Sequence, residues 1–87
     1  MPHNITFSPD AWADYLYWQS KDKKTLKRIN QLLQDLQRSG GGPGLGKGEL
    51  LRNRKGVSRR IDEKNRLVYV VEQETIILLS CRGHYED

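Results

Sequence analysis

The sequence has little of what secreted, membrane and metal-dependent proteins need. It contains one cysteine, Cys81, which excludes an internal disulfide and a cysteine-based zinc cage and fits a reducing compartment. Hydrophobic residues make up only 36% of the 87 residues, and no stretch approaches the roughly 20 apolar residues that cross a bilayer. His3 and His84 lie at opposite ends of the chain, without metal-ligand spacing. We therefore expect a cytoplasmic protein with no metal or cofactor, folded as a single domain over residues 1–87.

Positive charge is concentrated in the centre of the chain. The whole chain carries +4, whereas Leu45–Arg66 holds eight basic and three acidic residues and carries +5 alone. Most charge runs are only solvated surface. This run is rich in arginine, whose planar guanidinium pairs well with phosphate. The pattern therefore indicates a face that binds a polyanion.

Local patterns predict an α+β domain of order β-α-α-β-β-β, an antiparallel-rich small sheet packed against a two-helix hairpin. Ser8-Pro9-Asp10 is typical of a helix start. That helix is expected to end near Gln19 and to bury a face with Trp12, Tyr15, Leu16 and Trp18.

A second helix is expected from near Asp22, because apolar residues follow a 3-4-3 spacing at Leu26, Ile29, Leu33 and Leu36, with Leu32 beside them. Strands are then predicted at 4–7, 50–52, 57–61, 66–71 and 75–81, the last two being central in the sheet. Cys81 ends an apolar strand, so a buried and inert thiol is expected.

A glycine-rich segment separates the helices from the later strands. Residues 40–48 contain six of the eight glycines, and Gly41–Lys47 matches the opening of a phosphate-binding loop, G-x-x-x-x-G-K. A helix precedes this match, a strand follows it, and Gly48 stands where that loop needs Ser or Thr. We therefore interpret the segment as a connector that positions Lys47 and Glu49 against a partner.

The remaining polar residues suit RNA cleavage without a metal. Such a reaction needs a base for the 2′-OH, cations around the phosphorane and an acid for the leaving 5′-oxygen. Glu49 follows the glycine segment and precedes the arginine-bearing strands. His84 is a histidine, the residue type whose unperturbed pKa lies near neutrality. Each residue also has a simpler explanation. Glu49 is then an ion-pair partner, and His84 is a frayed residue near the C-terminus. This chemistry alone indicates a basic RNA-binding protein or a nuclease.

Several motifs together resemble the YoeB family, a branch of the RelE-like bacterial toxins. The resemblance covers nearly the whole chain and is carried by Asp14-Tyr15-Leu16-Tyr17-Trp18, Lys27-Arg28-Ile29-Asn30, Ser58-Arg59-Arg60-Ile61, Arg66-Leu67-Val68-Tyr69 and Cys81-Arg82-Gly83-His84-Tyr85. It implies a RelE-like toxin fold and a ribosome-dependent endoribonuclease that cuts mRNA in the decoding site.

The resemblance also implies roles for individual residues. Glu49 would be the general base, Arg66 would stabilise the phosphorane, His84 would be the general acid and Tyr85 would orient the scissile nucleotide. Phosphates of mRNA and ribosomal RNA would be held by Lys47, Arg52, Arg59 and Arg60. The expected products are a 2′,3′-cyclic phosphate or 3′-phosphate and a 5′-OH.

The expected partners are a cognate antitoxin, the ribosome with its mRNA, and a second copy of the chain. Two other functions stay open. The segment 49–61 is shorter than the pattern of the YoeB family, and the chain continues past Tyr85 with the acidic Glu86-Asp87. These two departures favour a non-catalytic basic module that binds ribosomal RNA or antitoxin. A gyrase-directed toxin of the same superfamily is the other, although Arg66 with His84-Tyr85 argues against it.

Overall fold

The computed structural model describes residues 3–40, 48–50 and 56–83, with only the backbone described at Glu49. Two helices and five strands occur in these ranges. The elements are β1 (Asn4–Phe7), α1 (Pro9–Lys21), α2 (Lys23–Ser39), β2 (Glu49–Leu50), β3 (Val57–Arg60), β4 (Arg66–Glu72) and β5 (Thr75–Ser80).

Each helix begins where its capping residue predicts. The Ser8 hydroxyl accepts a hydrogen bond from the Ala11 N–H at 3.1 Å and donates to the Leu79 carbonyl at 3.2 Å, which joins the start of α1 to β5. Asp22 ends α1 and caps α2, because its carboxylate accepts hydrogen bonds from the backbone N–H groups of Lys24 and Thr25. A single residue therefore makes the turn between the two helices.

The five strands form one mixed sheet in the order β1-β5-β4-β3-β2. β1 pairs in parallel with β5, and the other neighbouring pairs are antiparallel. β4 and β5 are therefore internal, as their nearly continuous apolar sequences predict. The α+β class and the β-α-α-β-β-β order are confirmed, and the short strand predicted at 50–52 corresponds to the two-residue edge strand β2.

The two faces of the sheet differ in what covers them. Leu67 and Tyr69 of β4 belong to the core cluster that contains Ile29, Leu32 and Leu36 of α2. We call this side the helix face. Alternation along the strands and the pairings Ser58↔Val68 and Arg60↔Arg66 place these four residues on the opposite side, which we call the outer face.

The predicted buried face of α1 is wrong in part. Trp18 of the predicted face is buried, as is Ala11, which was not predicted, whereas Trp12 is 50% exposed and Leu16 is 42% exposed. The small Ala11 lets α1 approach Cys81, whose Sγ lies 3.8 Å from the Ala11 carbonyl oxygen. Trp12 instead stacks on Tyr15 at the surface, with ring centroids 6.1 Å apart.

The other predicted bounds differ by one or two residues. α1 extends to Lys21, β3 ends at Arg60 and β5 ends at Ser80. β2 begins at Glu49, and residues 51 and 52 of the strand predicted there lie outside the described residues. In the described part of the chain, no helix is long and apolar enough to cross a membrane.

Candidate functional site

The predicted base, Glu49, lies in β2 at the edge of the sheet. Its Cα pairs in register with Ser58 of β3. Gly48 permits this close approach, because a Cβ at that position would lie 3.3 Å from Val57 Cγ1 and 4.0 Å from Tyr69 Oη. The segment that carries Glu49 is therefore packed directly against β3, and a larger residue at 48 would press it away.

Arg66 lies on the outer face beside Ser58, the β3 residue that pairs with Glu49. It begins β4 opposite Arg60, and its Nη1 donates a long hydrogen bond of 3.4 Å to Ser58 Oγ. Ser58 is buried, with 4% of its surface exposed. Ser58 thus touches the Arg66 guanidinium and pairs with Glu49, so the sheet register brings Glu49 and Arg66 to one region.

The chain returns to Arg66 immediately before His84. The Arg66 N–H donates to the Gly83 carbonyl at 3.1 Å, and the Gly83 N–H donates to Asn65 Oδ1 at 2.8 Å. The structure therefore brings together Glu49, Arg66 and the residue that precedes His84. Four of the predicted site residues lie outside the described residues: His84, Tyr85, Lys47 and Arg52.

Arg59 differs from the expectation that it holds a phosphate. Its side chain is fully buried on the helix face, where Nη1 pairs with Asp35 Oδ2 of α2 at 2.5 Å and Nε donates to Tyr69 Oη at 3.3 Å. Burial alone would lower the pKa of Arg59, but the bonds to Asp35 and Tyr69 outweigh it and raise that pKa. This arginine joins α2 to the sheet and does not present its charge to solvent.

Arg60 is the arginine of this pair that faces solvent. It is exposed on the outer face, opposite Arg66 in register, and Lys64 is exposed in the turn between their strands. Three basic residues therefore line one end of the β3–β4 hairpin. This arrangement suits an approaching phosphate backbone.

Contacts from α1 to the C-terminal segment were missed by sequence reasoning. The Cys81 N–H donates to Asp14 Oδ2 at 3.0 Å, and Trp18 Nε1 donates to the Cys81 carbonyl at 2.9 Å. The sequence signal that could have indicated these contacts is the presence of two polar groups, the Asp14 carboxylate and the Trp18 indole N–H, on the inner side of α1. Cys81 itself is fully buried, and burial, followed by the Asp14 charge, raises its thiol pKa to about 12. The prediction of a buried thiol is confirmed.

No group of metal-binding side chains lies beside Arg66 in the part of the chain that the structure describes. Among residues 3–40, 48–50 and 56–83, no three His, Cys, Asp or Glu side chains are grouped to hold a metal ion. An open cavity of about 350 Å³ lies between α2 and the start of the β3–β4 turn, lined by Lys24, Thr25, Arg28, Ile61 and Asp62.

Comparison with known families decides which family this geometry belongs to. The family model described as the YoeB-like toxin of bacterial type II toxin–antitoxin systems matches residues 7–85. The chain belongs to the YoeB-like toxins. The resemblance in the motifs is thereby confirmed, and a toxin of a type II toxin–antitoxin pair is the established class.

Curated YoeB toxins match along nearly their whole length. Toxin YoeB of Escherichia coli (strain K12) is 44% identical over 85 residues, which is 93% of this chain and 98% of that toxin. Toxin YoeB of Synechocystis sp. (strain ATCC 27184 / PCC 6803 / Kazusa) is 44% identical over 86 residues, which is 94% of this chain and 96% of that toxin.

Solved structures agree with the YoeB-like assignment and with the fold. The YoeB dimer from Staphylococcus aureus has a TM-score of 0.87 and 48% identity, covering 98% of this chain and 100% of that chain. The YoeB chain of the heterotetrameric YoeB–YefM toxin–antitoxin complex from the same organism has a TM-score of 0.84, 46% identity and the same coverage. The toxin–antitoxin complex RelBE2 from Mycobacterium tuberculosis, at 21% identity, covers 97% of this chain and 100% of that chain. Its TM-score of 0.69 shows the RelE-like fold alone.

Proposed function

We propose that this YoeB-like toxin is an endoribonuclease that cuts mRNA on the ribosome without a metal ion. The observation that carries the proposal is the convergence at one end of β3 and β4. There Ser58 pairs with Glu49 and contacts Arg66, and the Arg66 N–H holds the residue before His84. A base, a fixed cation and an acid are the three groups that 2′-OH attack requires.

In this mechanism Glu49 removes the 2′-OH proton, and the 2′-oxygen attacks the adjacent phosphorus. Arg66 stabilises the charge of the phosphorane, and His84 protonates the leaving 5′-oxygen. The products are a 2′,3′-cyclic phosphate, or the 3′-phosphate formed from it, and a 5′-OH. Tyr85 orients the scissile nucleotide.

The exposed basic residues bind the RNA backbone in this proposal. Arg60, together with Lys47 and Arg52, contacts phosphates, whereas the buried Arg59 supports the strand that carries its neighbour. A chain of 87 residues has little surface with which to shape an mRNA. The ribosome therefore supplies most of the substrate positioning, which accounts for the dependence on it.

Partners follow from the relatives and from the charge. The Staphylococcus aureus relatives are a YoeB dimer and a YoeB–YefM heterotetramer. We propose that this chain likewise forms a homodimer and pairs with a cognate antitoxin. An acidic antitoxin segment that folds on the basic 45–66 region would cover the site. A ribosome-bound toxin acts in the cytoplasm.

The test is cleavage of a defined mRNA with and without programmed ribosomes. We expect cleavage only with ribosomes, a loss of at least about 100-fold in His84→Ala and a comparable loss in Glu49→Ala. Cleavage that persists in Glu49→Ala would remove the assignment of the base alone. Ribosome binding by the parent chain without any cleavage would instead favour the non-catalytic binding module.

A further inference from the structure

The segment Cys81–Gly83, which we call the arm, connects β5 to residue 84 and is held at both ends. At its start, α1 binds both backbone polar groups of Cys81: Asp14 accepts from the N–H at 3.0 Å, and Trp18 donates to the carbonyl at 2.9 Å. Between the ends, the Arg82 guanidinium lies 3.6 Å from the centroid of the Tyr17 ring. The arm therefore has a fixed origin on α1.

The end of the arm is fixed to the turn before β4. Gly83 donates its N–H to Asn65 Oδ1 at 2.8 Å and accepts the Arg66 N–H at 3.1 Å. Gly83 has a φ of +90°, a backbone conformation that side chains disfavour. Asn65 and Arg66 therefore bind both backbone polar groups of Gly83, the residue that precedes His84.

The carboxylate of Asp62 orients the Asn65 side chain. Asn65 Nδ2 donates to both carboxylate oxygens of Asp62 at 3.1 Å, and Asp62 Oδ1 also accepts the backbone N–H groups of Lys64 and Asn65. Because the NH₂ group is bound to the carboxylate, the amide oxygen is the group left to face Gly83. Burial would raise the pKa of Asp62, but the bonds from Asn65 and Lys64 outweigh it and lower that pKa.

We propose that Asn65 is a positioning residue for RNA cleavage, which acts through Gly83 to set where His84 enters the site relative to Arg66. The inference rests on the proposed function and gives Asn65 no chemical step. It differs from a purely structural role in one respect. Loss of Asn65 should impair protonation of the leaving group more than it impairs folding or ribosome binding.

The experiment compares Asn65→Ala with Glu63→Ala, an exposed residue of the same turn. Single-turnover cleavage on programmed ribosomes should fall at least tenfold in Asn65→Ala, with the half-saturating ribosome concentration within twofold of the parent. Hydrogen exchange at the Gly83 amide should become faster in this variant. Glu63→Ala should match the parent in all three measurements.

A modified substrate separates positioning of the acid from a general loss of structure. An mRNA with sulfur in place of the scissile 5′-oxygen releases a thiolate, which leaves without being protonated. Asn65→Ala and His84→Ala should both recover most of their lost rate on this substrate. Gly83→Ala provides a second variant, because no atom of the described residues lies within 4 Å of its new Cβ, and the +90° φ is the strain that it introduces. It should lose rate and recover in the same way.

The outcomes separate this inference from the proposed function. An active parent with an equally active Asn65→Ala would overturn the inference alone. A slow Asn65→Ala that the sulfur substrate does not restore would also overturn it. If Asn65→Ala fails to fold, Gly83→Ala takes its place in the test. Either full activity in Gly83→Ala, or a lost rate that the sulfur substrate does not restore, would then overturn the inference. A parent chain that cleaves no mRNA on ribosomes would overturn the proposed function, and this inference with it.

Discussion

Arg59 and Arg60 are consecutive residues of β3, and they lie in opposite environments. Arg59 is fully buried on the helix face and paired with Asp35 of α2, whereas Arg60 is exposed on the outer face opposite Arg66. The alternation of a strand decides which is which, because successive side chains point to opposite faces. The same residue type therefore supports the fold on one side of the sheet and is exposed to solvent on the other.

The comparison explains how a small chain combines a sheet packed on helices with an exposed basic surface. The helix face buries its one described arginine with a carboxylate and a tyrosine hydroxyl. The outer face carries Arg66 and Arg60 on neighbouring strands. A change on the helix face should therefore alter stability first, and a change on the outer face should alter cleavage first.

The largest effect is expected at Arg66. Arg66→Ala should lower the single-turnover cleavage rate by about 100- to 1,000-fold, because a fixed cation at the phosphorane is lost. Arg60→Ala should mainly raise the half-saturating ribosome concentration and reduce the salt dependence of binding by about one ion. Quench-flow cleavage over a series of ribosome and salt concentrations measures both. Equal rate losses in the two variants would contradict the distinction between them.

The helix face is tested through Asp35, which pairs with a buried and an exposed arginine. Asp35→Ala removes the carboxylate that the structure pairs with the buried Arg59, and it should lower the free energy of unfolding by about 3 kcal/mol. Arg38→Ala removes only the 82%-exposed partner of Asp35 and should cost less than about 1 kcal/mol. Urea unfolding followed by tryptophan fluorescence measures the two values.

A double variant sharpens this test. Replacing both partners, as Asp35→Leu with Arg59→Met, removes the buried charge along with its counterion. It should therefore recover part of the stability that Asp35→Ala loses. A double variant less stable than Asp35→Ala would show that the other contacts of Arg59, such as its hydrogen bond to Tyr69 Oη, outweigh the cost of burying its charge.

Sequence patterns predict the elements of the fold better than they predict the site. Capping at Ser8 and Asp22 and the apolar spacing of α2 are local signals, and the structure follows them. The face of α1 could not be predicted as well, because Trp12 and Trp18 are both apolar and only contact with Cys81 decides which is buried.

The site depends on pairings that have no local signal. Ser58 touches Arg66 and pairs with Glu49 only because of the strand register, and the bond from Gly83 to Asn65 joins residues 18 positions apart. Likewise, a run such as Ser58-Arg59-Arg60 does not show which arginine is buried until the strand faces are known. The carry-over of roles from the YoeB family to Glu49, His84 and Tyr85 stays a prediction.

The β4–β5 turn offers a change in stability that should leave the site intact. Gln73 and Glu74 have positive φ values of 48° and 66°, which Asn-Gly adopts more easily. Gln73→Asn with Glu74→Gly should therefore raise the free energy of unfolding by about 1 kcal/mol. Cleavage should be unchanged, because the turn is at the opposite end of β4 from Arg66. Glu74→Ala, which keeps the disfavoured φ, serves as the control and should give no gain.

The smallest expected effect is on the pH dependence of the free energy of unfolding, through Asp22 between α1 and α2. Hydrogen bonds from the Thr25 side chain and backbone lower the pKa of Asp22 below its ordinary value, so its ionised form stabilises the native state. That contribution is complete above the unfolded pKa of about 3.9 and is lost as the pH falls through the lower native pKa. Asp22→Asn keeps a capping oxygen without a titrating group. Urea unfolding between pH 7 and pH 3 should therefore show a shallower acid loss in Asp22→Asn than in the parent.

The attack of a 2′-OH on the neighbouring phosphate is the central chemical claim, and one substitution in the substrate tests it directly. An mRNA that carries a single 2′-deoxynucleotide immediately 5′ of the scissile phosphate should bind the ribosome and toxin normally and should not be cleaved there. The unmodified mRNA should give a 5′-OH and a 2′,3′-cyclic phosphate or 3′-phosphate at the same position. Cleavage of the deoxy substrate at a similar rate would contradict this account of the toxin.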